Sequence, residues 1–152
     1  MIITDLKQAP QHFDTVADRI WRAWWEADGD PISDLVEGLR EVGAADGFPC
    51  TFVASDNDRF LGTVTAIQSD ISDRPHLGPC VAALWVEPDA RGRGIAQSLI
   101  GAVLALYVSL GFKKAYLSAR PHLHDFYALR GWTLVESDVG RDHLYIFRRA
   151  LP

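Results

Sequence analysis

Residues 81–105 hold an apolar run that stops at Pro88, a turn carrying Arg91, Gly92, Arg93 and Gly94, and then apolar residues at helical spacing. Ile95, Leu99, Val103 and Leu106 recur every three or four positions with Ala102 between them, which predicts a helix with one inward face. Strand, glycine turn and helix in that order form a recurring cradle for anions. Glycines let the backbone come close, the first helical N–H groups have no partner within the helix, and the dipole there is positive. The glycines do not spell a P-loop, because no lysine follows them. They do not spell a dinucleotide fingerprint either, because Gln97 stands where a third glycine is needed.

The rest of the chain supplies a sheet around that unit. Residues 1–5 are a short β-branched opening suited to an edge strand. Residues 13–25 place Phe13, Val16, Ala17, Ile20, Trp21, Trp24 and Trp25 at helical spacing and predict one amphipathic helix, broken by Asp28-Gly29-Asp30-Pro31. Ser33 is placed to cap a second helix with Leu35, Val36 and Leu39 inside. Strands are expected over residues 50–55 and 60–68, joined by the turn Asp56-Asn57-Asp58-Arg59. Residues 69–79 are polar, carry Pro75, Gly78 and Pro79, and form a loop long enough to line a site.

Residues 81–86, the helix to about residue 110 with Gly111 at its end, and residues 114–118 make a β-α-β unit. Its strands are parallel and its crossover right-handed. A short helix follows Pro121 with Leu123, Phe126 and Tyr127 on its inner side. Residues 132–136 and 143–149 close the chain as a hairpin. The expected class is α/β, a mixed sheet of about seven strands in the order β-α-α-β-β-β-α-β-α-β-β, within one domain spanning residues 1–152.

Composition narrows the function classes. At 152 residues, 48% apolar and 23% charged, the chain has an ordinary globular profile and enough length for a substantial core. No apolar run approaches the roughly 20 residues that span a bilayer. The opening Met1-Ile2-Ile3-Thr4-Asp5 lacks the basic start and apolar core of a secretory signal, so a cytoplasmic location is expected. Cys50 and Cys80 have no metal or redox spacing and read as buried free thiols. His122 and His124, two apart near Asp125, do not converge on one helical face, so no metal site is expected. A net charge of −5 argues against nucleic acid as a partner. The charge is uneven: residues 26–46 hold seven acids against Arg40, while residues 88–131 hold six bases against two acids. A basic half facing a phosphorylated cofactor and an acidic half facing a cationic acceptor would account for that split, as would solvated helix faces.

The run Arg91-Gly92-Arg93-Gly94-Ile95-Ala96, preceded by Val86-Glu87-Pro88-Asp89, resembles the coenzyme A pyrophosphate loop of the GNAT N-acetyltransferase superfamily. About thirty residues on, Phe126-Tyr127-Ala128-Leu129-Arg130-Gly131-Trp132 resembles that family's Phe-Tyr-x-x-x-Gly-Phe. The order of elements is similar to the family's across nearly the whole chain. The resemblance implies two parallel strands, residues 81–86 and 114–118, that splay apart to admit the pantetheine arm of acetyl-CoA. Backbone groups at Leu84, Trp85 and Val86 would hold that arm and the thioester. Arg91, Gly92, Arg93, Gly94, Ile95 and Ala96 would hold the diphosphate. Many members carry Asn seven residues before the tyrosine; here Arg120 stands there, on the cofactor side.

The chemistry implied is direct acetyl transfer from acetyl-CoA to a primary amine, a small cationic amine or a peptide amine. There is no Gly-x-Ser-x-Gly, and neither cysteine sits in a nucleophile motif. A strand N–H would steady the oxyanion. Tyr127, with an ordinary phenol pKa of about 10, would protonate a thiolate whose acid lies near 8.5. A lysine-like acceptor at about 10.4 must give up a proton at a cost of about 4.6 kcal/mol at pH 7, an α-amine near 8 only about 1.4 kcal/mol. Glu26, Asp28, Asp70, Asp73, His76 or an ordered water are the candidate bases, and Glu87 is expected on the surface. Trp21 belongs to the helix core, whereas one of Trp24 and Trp25 is free to meet substrate. Trp25, Glu26 and Asp70 are therefore the acceptor-side candidates. A non-catalytic acyl-CoA sensor on the same fold is the rival reading, and the edge strands offer a route to a homodimer.

Overall fold

The computed structural model describes residues Met1–Pro152. The elements are β1 (Ile2–Asp5), α1 (Phe13–Ile20), α2 (Ile32–Ala44), β2 (Cys50–Asp56), β3 (Arg59–Ile67) and β4 (Cys80–Val86). They continue with α3 (Ile95–Ser109), β5 (Lys114–Ala119), α4 (His124–Ala128), β6 (Thr133–Val139) and β7 (Leu144–Ala150). This is the order read from the sequence. The seven strands form one mixed sheet, β1-β2-β3-β4-β5-β7-β6, in which β4 and β5 run parallel. The chain gathers into two compact units, Met1–Ala66 with Ala83–Val103, and Ile67–Ala82 with Leu104–Pro152.

In the first unit β2 and β3 form an antiparallel hairpin, and β1 adds to β2 with Ile2 opposite Ser55 and Asp5 opposite Phe52. The hairpin turns on Asn57 (φ 48°) and Asp58 (φ 64°), both left-handed, a conformation that Asn and Asp tolerate better than other side chains. Val16, Ala17 and Ile20 of α1 and Leu35 and Leu39 of α2 pack with Val53 and Phe60 of the strands. Each large apolar side chain so buried contributes about 1.5–3 kcal/mol of transfer free energy.

Two local expectations change here. The helix predicted over residues 13–25 is α-helical only to Ile20; Trp21–Trp25 form a π-helical turn, closed by the Glu26 N–H on the Trp21 carbonyl. In that wider turn Trp21 and Trp25 lean on the core, the Trp21 indole N–H donates to the Asp30 carbonyl at 2.8 Å, and Trp24 stays exposed. Ser33 does not cap α2. Pro31, extended at φ −71° and ψ 145°, occupies the cap position, so the helix starts at Ile32 and takes Ser33 into its first turn. A proline suits that boundary because its missing N–H would have had no helical partner.

In the second unit β5 pairs antiparallel with β7, from Lys114 opposite Ala150 to Ala119 opposite Tyr145, and β6 pairs antiparallel with β7. The parallel register of β4 and β5 places Cys80 opposite Tyr116, with the Tyr116 N–H donating to the Pro79 carbonyl at 2.9 Å. Ile71, Cys80, Tyr116, Val139 and Ile146 form a core that Ile67 and Leu77 flank. On α3 the inward residue of the last turns is Tyr107, fully buried, rather than Leu106, which is half-buried. The tyrosine can be buried there because its hydroxyl donates to the Cys80 carbonyl. Arg74 in the loop after β3 pairs with Glu136 of β6, Nε lying 3.1 and 3.0 Å from the two carboxylate oxygens. Cys50 and Cys80 are buried free thiols, as expected. No helix is long and apolar enough to cross a membrane.

Candidate active site

The turn between β4 and α3 has the form of an anion cradle. Pro88–Ala90 make one 3-10 turn, and Gly92 and Gly94 follow, each at φ +78°. A left-handed conformation costs an ordinary L-residue roughly 1–2 kcal/mol, so two such positions one residue apart call for glycine. A Cβ at either would meet nothing within 4 Å; backbone conformation, not crowding, sets these residues, and the space beside them is open. The Ser98 N–H donates to the Gly94 carbonyl at 3.1 Å, which makes Gly94 the cap, and the N–H groups of Ile95 and Ala96 have no carbonyl behind them in the helix. Residues 91–94 are exposed, and Asp89, the nearest acid in sequence, is paired with Arg59. Open amides at a helix start, with Arg91 and Arg93 beside them, suit a diphosphate.

The two arginines of the turn are not spread outward. Arg91 folds back so that its Nε donates to the Val86 carbonyl at 2.9 Å and its guanidinium carbon lies 4.9 Å from the centre of the Trp85 ring. Arg93 Nε donates to the Ala90 carbonyl at 3.4 Å. Both therefore brace the turn through one nitrogen while keeping further N–H donors.

Upstream, Leu84, Trp85 and Val86 are half-buried at the end of β4. Ala83 before them is left-handed at φ +50°, in the middle of a strand and without being glycine. Strain of this kind persists only where the surroundings over-determine it, and it gathers at ligand clamps. No sequence signal announces it beyond the small pair Ala82-Ala83 in an otherwise bulky strand. Gly62 of β3 passes so close to β4 that a Cβ there would lie 2.7 Å from the Trp85 carbonyl oxygen.

Glu87 corrects the surface assignment. Its side chain is only 15% exposed and binds Arg19 of α1, with Nη2 to Oε1 at 2.8 Å and Nε to the two oxygens at 2.9 and 3.1 Å. The Trp85 indole N–H donates to its Oε2 at 3.2 Å. Sequence spacing could not reveal this, because Arg19 lies 68 residues away.

In the second unit Tyr127 of α4 is 6% exposed, among the rings of Phe126, Trp132 and Phe147 at centroid distances of 5.0, 6.3 and 5.5 Å. Burial pushes its phenol up to about 12. That keeps it protonated at any working pH but makes it a weaker acid than the ordinary phenol assumed from sequence. Arg120, exposed, precedes the Pro121–Leu123 turn, and its carbonyl accepts from the Leu123 N–H at 3.0 Å.

The acceptor-side candidates divide between the units. Trp25, packed on the first core, and Glu26, exposed just after it, belong to one; Asp70 belongs to the other. Asp70 is reached by solvent, yet the chain around it removes enough water to push its carboxyl up to about 6. Among the remaining base candidates Asp28, Asp73 and His76 are exposed. His124 sits 2.9 Å from the Asp125 carboxylate, and no group of three His, Cys, Asp or Glu side chains is placed to hold a metal ion.

No curated protein sequence matches the chain. Solved structures do. An aminoglycoside 6'-N-acetyltransferase complexed with coenzyme A is 21% identical over 100% of this chain and 98% of its own, with a TM-score of 0.77. The aminoglycoside 6'-N-acetyltransferase from Enterococcus faecium is 21% identical over 100% and 98%, with a TM-score of 0.74. Ard1 from Thermoplasma volcanium is 14% identical over 99% and 97%, again at 0.74. These likenesses establish the fold. The model of the acetyltransferase (GNAT) family matches residues 13–132, which include both the glycine turn and the Phe126-Tyr127 helix. The chain belongs to the GNAT acetyltransferase family.

Proposed function

We propose that this protein transfers the acetyl group of acetyl-CoA directly to a primary amine, a small cationic amine or the amine of a peptide. The observation that carries the reading is the turn at residues 91–96: two left-handed glycines opening a 15-residue helix, in a chain of the acetyltransferase family. In this reading the amides of Gly92, Gly94, Ile95 and Ala96 hold the diphosphate, and Arg91 and Arg93 add charge from the flanks. Leu84, Trp85 and Val86 hold the pantetheine arm by their backbone groups, and Ala83 turns the strand so that an amide meets the thioester oxygen as charge develops on it. Arg120 takes the place of the usual asparagine on the cofactor side.

Tyr127 supplies the proton to the departing thiolate. Asp70, its carboxyl raised to about 6, is ionised at neutral pH and still basic enough to take a proton from the acceptor ammonium, directly or through water. Trp25 and Glu26 face the acceptor, aromatic surface and carboxylate together suiting a cation. The reading has the enzyme at work in the reducing cytoplasm, with Cys50 and Cys80 as thiols and neither nucleic acid nor membrane as a partner.

Release of free thiol from acetyl-CoA, followed over a panel of polyamines, aminoglycosides and peptides with free N-termini, tests the proposal. Amine-dependent release on one class supports it. Tight coenzyme A binding with no release on any amine would replace it with the acyl-CoA sensor, and no binding at all would remove both.

A further inference from the structure

Glu87 joins four pieces of the first unit. Its carboxylate is gripped by Arg19 of α1 through Nη2 at 2.8 Å and Nε at 2.9 and 3.1 Å, and by the Trp85 indole of β4 at 3.2 Å. Its N–H donates to the Leu61 carbonyl of β3 at 2.8 Å, and its carbonyl accepts from the Ala90 N–H at 2.9 Å, closing the 3-10 turn that leads into the glycines. Trp85, held at its nitrogen by Glu87, presents its ring to Arg91, whose Nε ties to the Val86 carbonyl. One carboxylate thus fixes the indole on which the first arginine of the turn rests. A second carboxylate, Asp18, contacts Arg19 on its other side and accepts from Arg22 Nε at 2.8 Å, so the guanidinium of Arg19 has little freedom to leave.

We propose that Glu87 is a positioning residue for the diphosphate turn: through the Trp85 ring and Arg91 it holds the approach to residues 92–96 in the geometry that the diphosphate of coenzyme A requires, without touching the coenzyme. The proposal rests on the coenzyme A reading above. A carboxylate with four acceptor sites can take both nitrogens of Arg19 and the indole N–H at once. A carboxamide cannot, because one of its two ends is a donor facing donors.

Glu87→Gln is the test, read in two ways on the full chain. In the free protein, hydrogen exchange at the Glu87, Ala90 and Ser98 amides, which are hydrogen-bonded before, within and after the turn, is expected to rise about tenfold, the effect of losing one charge-assisted hydrogen bond that orders the turn. Exchange in β5 and β7 should be unchanged. With ligand, the Kd for coenzyme A should rise by a similar factor of about ten, while kcat/KM with S-acetylpantetheine, which has no diphosphate, should hold within about twofold. Glu87→Asp, which keeps the charge, should recover part of both effects. If Glu87→Gln fails to fold, Arg19→Lys carries the same test, since it keeps the charge and loses the fork. Unchanged exchange in the turn, or equal losses with both donors, would overturn the proposal. A wild-type chain that binds no coenzyme A would overturn the coenzyme reading instead, and the exchange measurement would then judge Glu87 alone.

Discussion

Replacing Tyr127 by Phe removes one oxygen and leaves the ring cluster with Phe126, Trp132 and Phe147 in place. Stability near neutral pH should therefore change by less than about 0.5 kcal/mol, or about 2 °C in Tm. The catalytic loss can be sized from the proton it gives. With its phenol at about 12 and the thiol at about 8.5, transfer is uphill by roughly 3.5 units, about 4.8 kcal/mol, if the sulfur keeps its solution basicity. A donor so mismatched belongs at the low end of general acid catalysis, about 10²-fold in kcat, or about 2.7 kcal/mol. The assay is thiol release at saturating acetyl-CoA with the amine found by the panel, alongside coenzyme A affinity, which should not move. Alkaline unfolding gives an independent check. The unfolded phenol ionises at about 10 and the folded one at about 12, so the phenol's share of stability is intact below pH 10 and falls between 10 and 12, beside a loss that begins near pH 9 from the Cys50 and Cys80 thiols, which burial pushes up to about 11. The phenol's loss is about 1.4 kcal/mol at pH 11, and Phe abolishes it. A variant within threefold of wild-type turnover would refute the acid role, and an unchanged alkaline limb would refute the raised phenol.

Asp70→Asn tests the base: wild-type activity should rise through about pH 6 as the carboxyl ionises, and the variant should lose that limb and about 10²-fold in rate. Gly94→Ala puts a side chain at φ +78°; calorimetry should show about 1–2 kcal/mol of destabilisation and titration a weaker hold on coenzyme A. Gly62→Ala sets a Cβ 2.7 Å from the Trp85 carbonyl oxygen, a backbone atom that cannot swing away. It should cost about 1–3 kcal/mol in urea unfolding and raise the KM for acetyl-CoA, because β4 must shift beside residues 84–86.

Much of this architecture is written in short-range patterns. The period of Leu99 and Val103, the Asn57-Asp58 turn and the two glycines before α3 are each decided by neighbours in sequence, so element order and the glycine turn could be read directly. What escaped is what distant partners decide. Glu87 looks like a surface acid until Arg19 is folded against it. Ala83 is left-handed against its own preference, and Trp21–Trp25 make a π-turn where helical spacing alone predicts α-helix. The depth of Tyr127, and with it the strength of that acid, is likewise a property of the rings around it. Tyr107 was hidden for another reason: a tyrosine reads as amphipathic, and only the Cys80 carbonyl lets it be fully buried.

Chemical-shift mapping of backbone amides during titration with coenzyme A asks the decisive question. The account predicts saturable shifts at Gly92, Gly94, Ile95 and Ala96, with smaller ones at residues 84–86, and their loss when the coenzyme is replaced by pantetheine. Binding that leaves those four amides unmoved, or no binding at millimolar coenzyme, would contradict it.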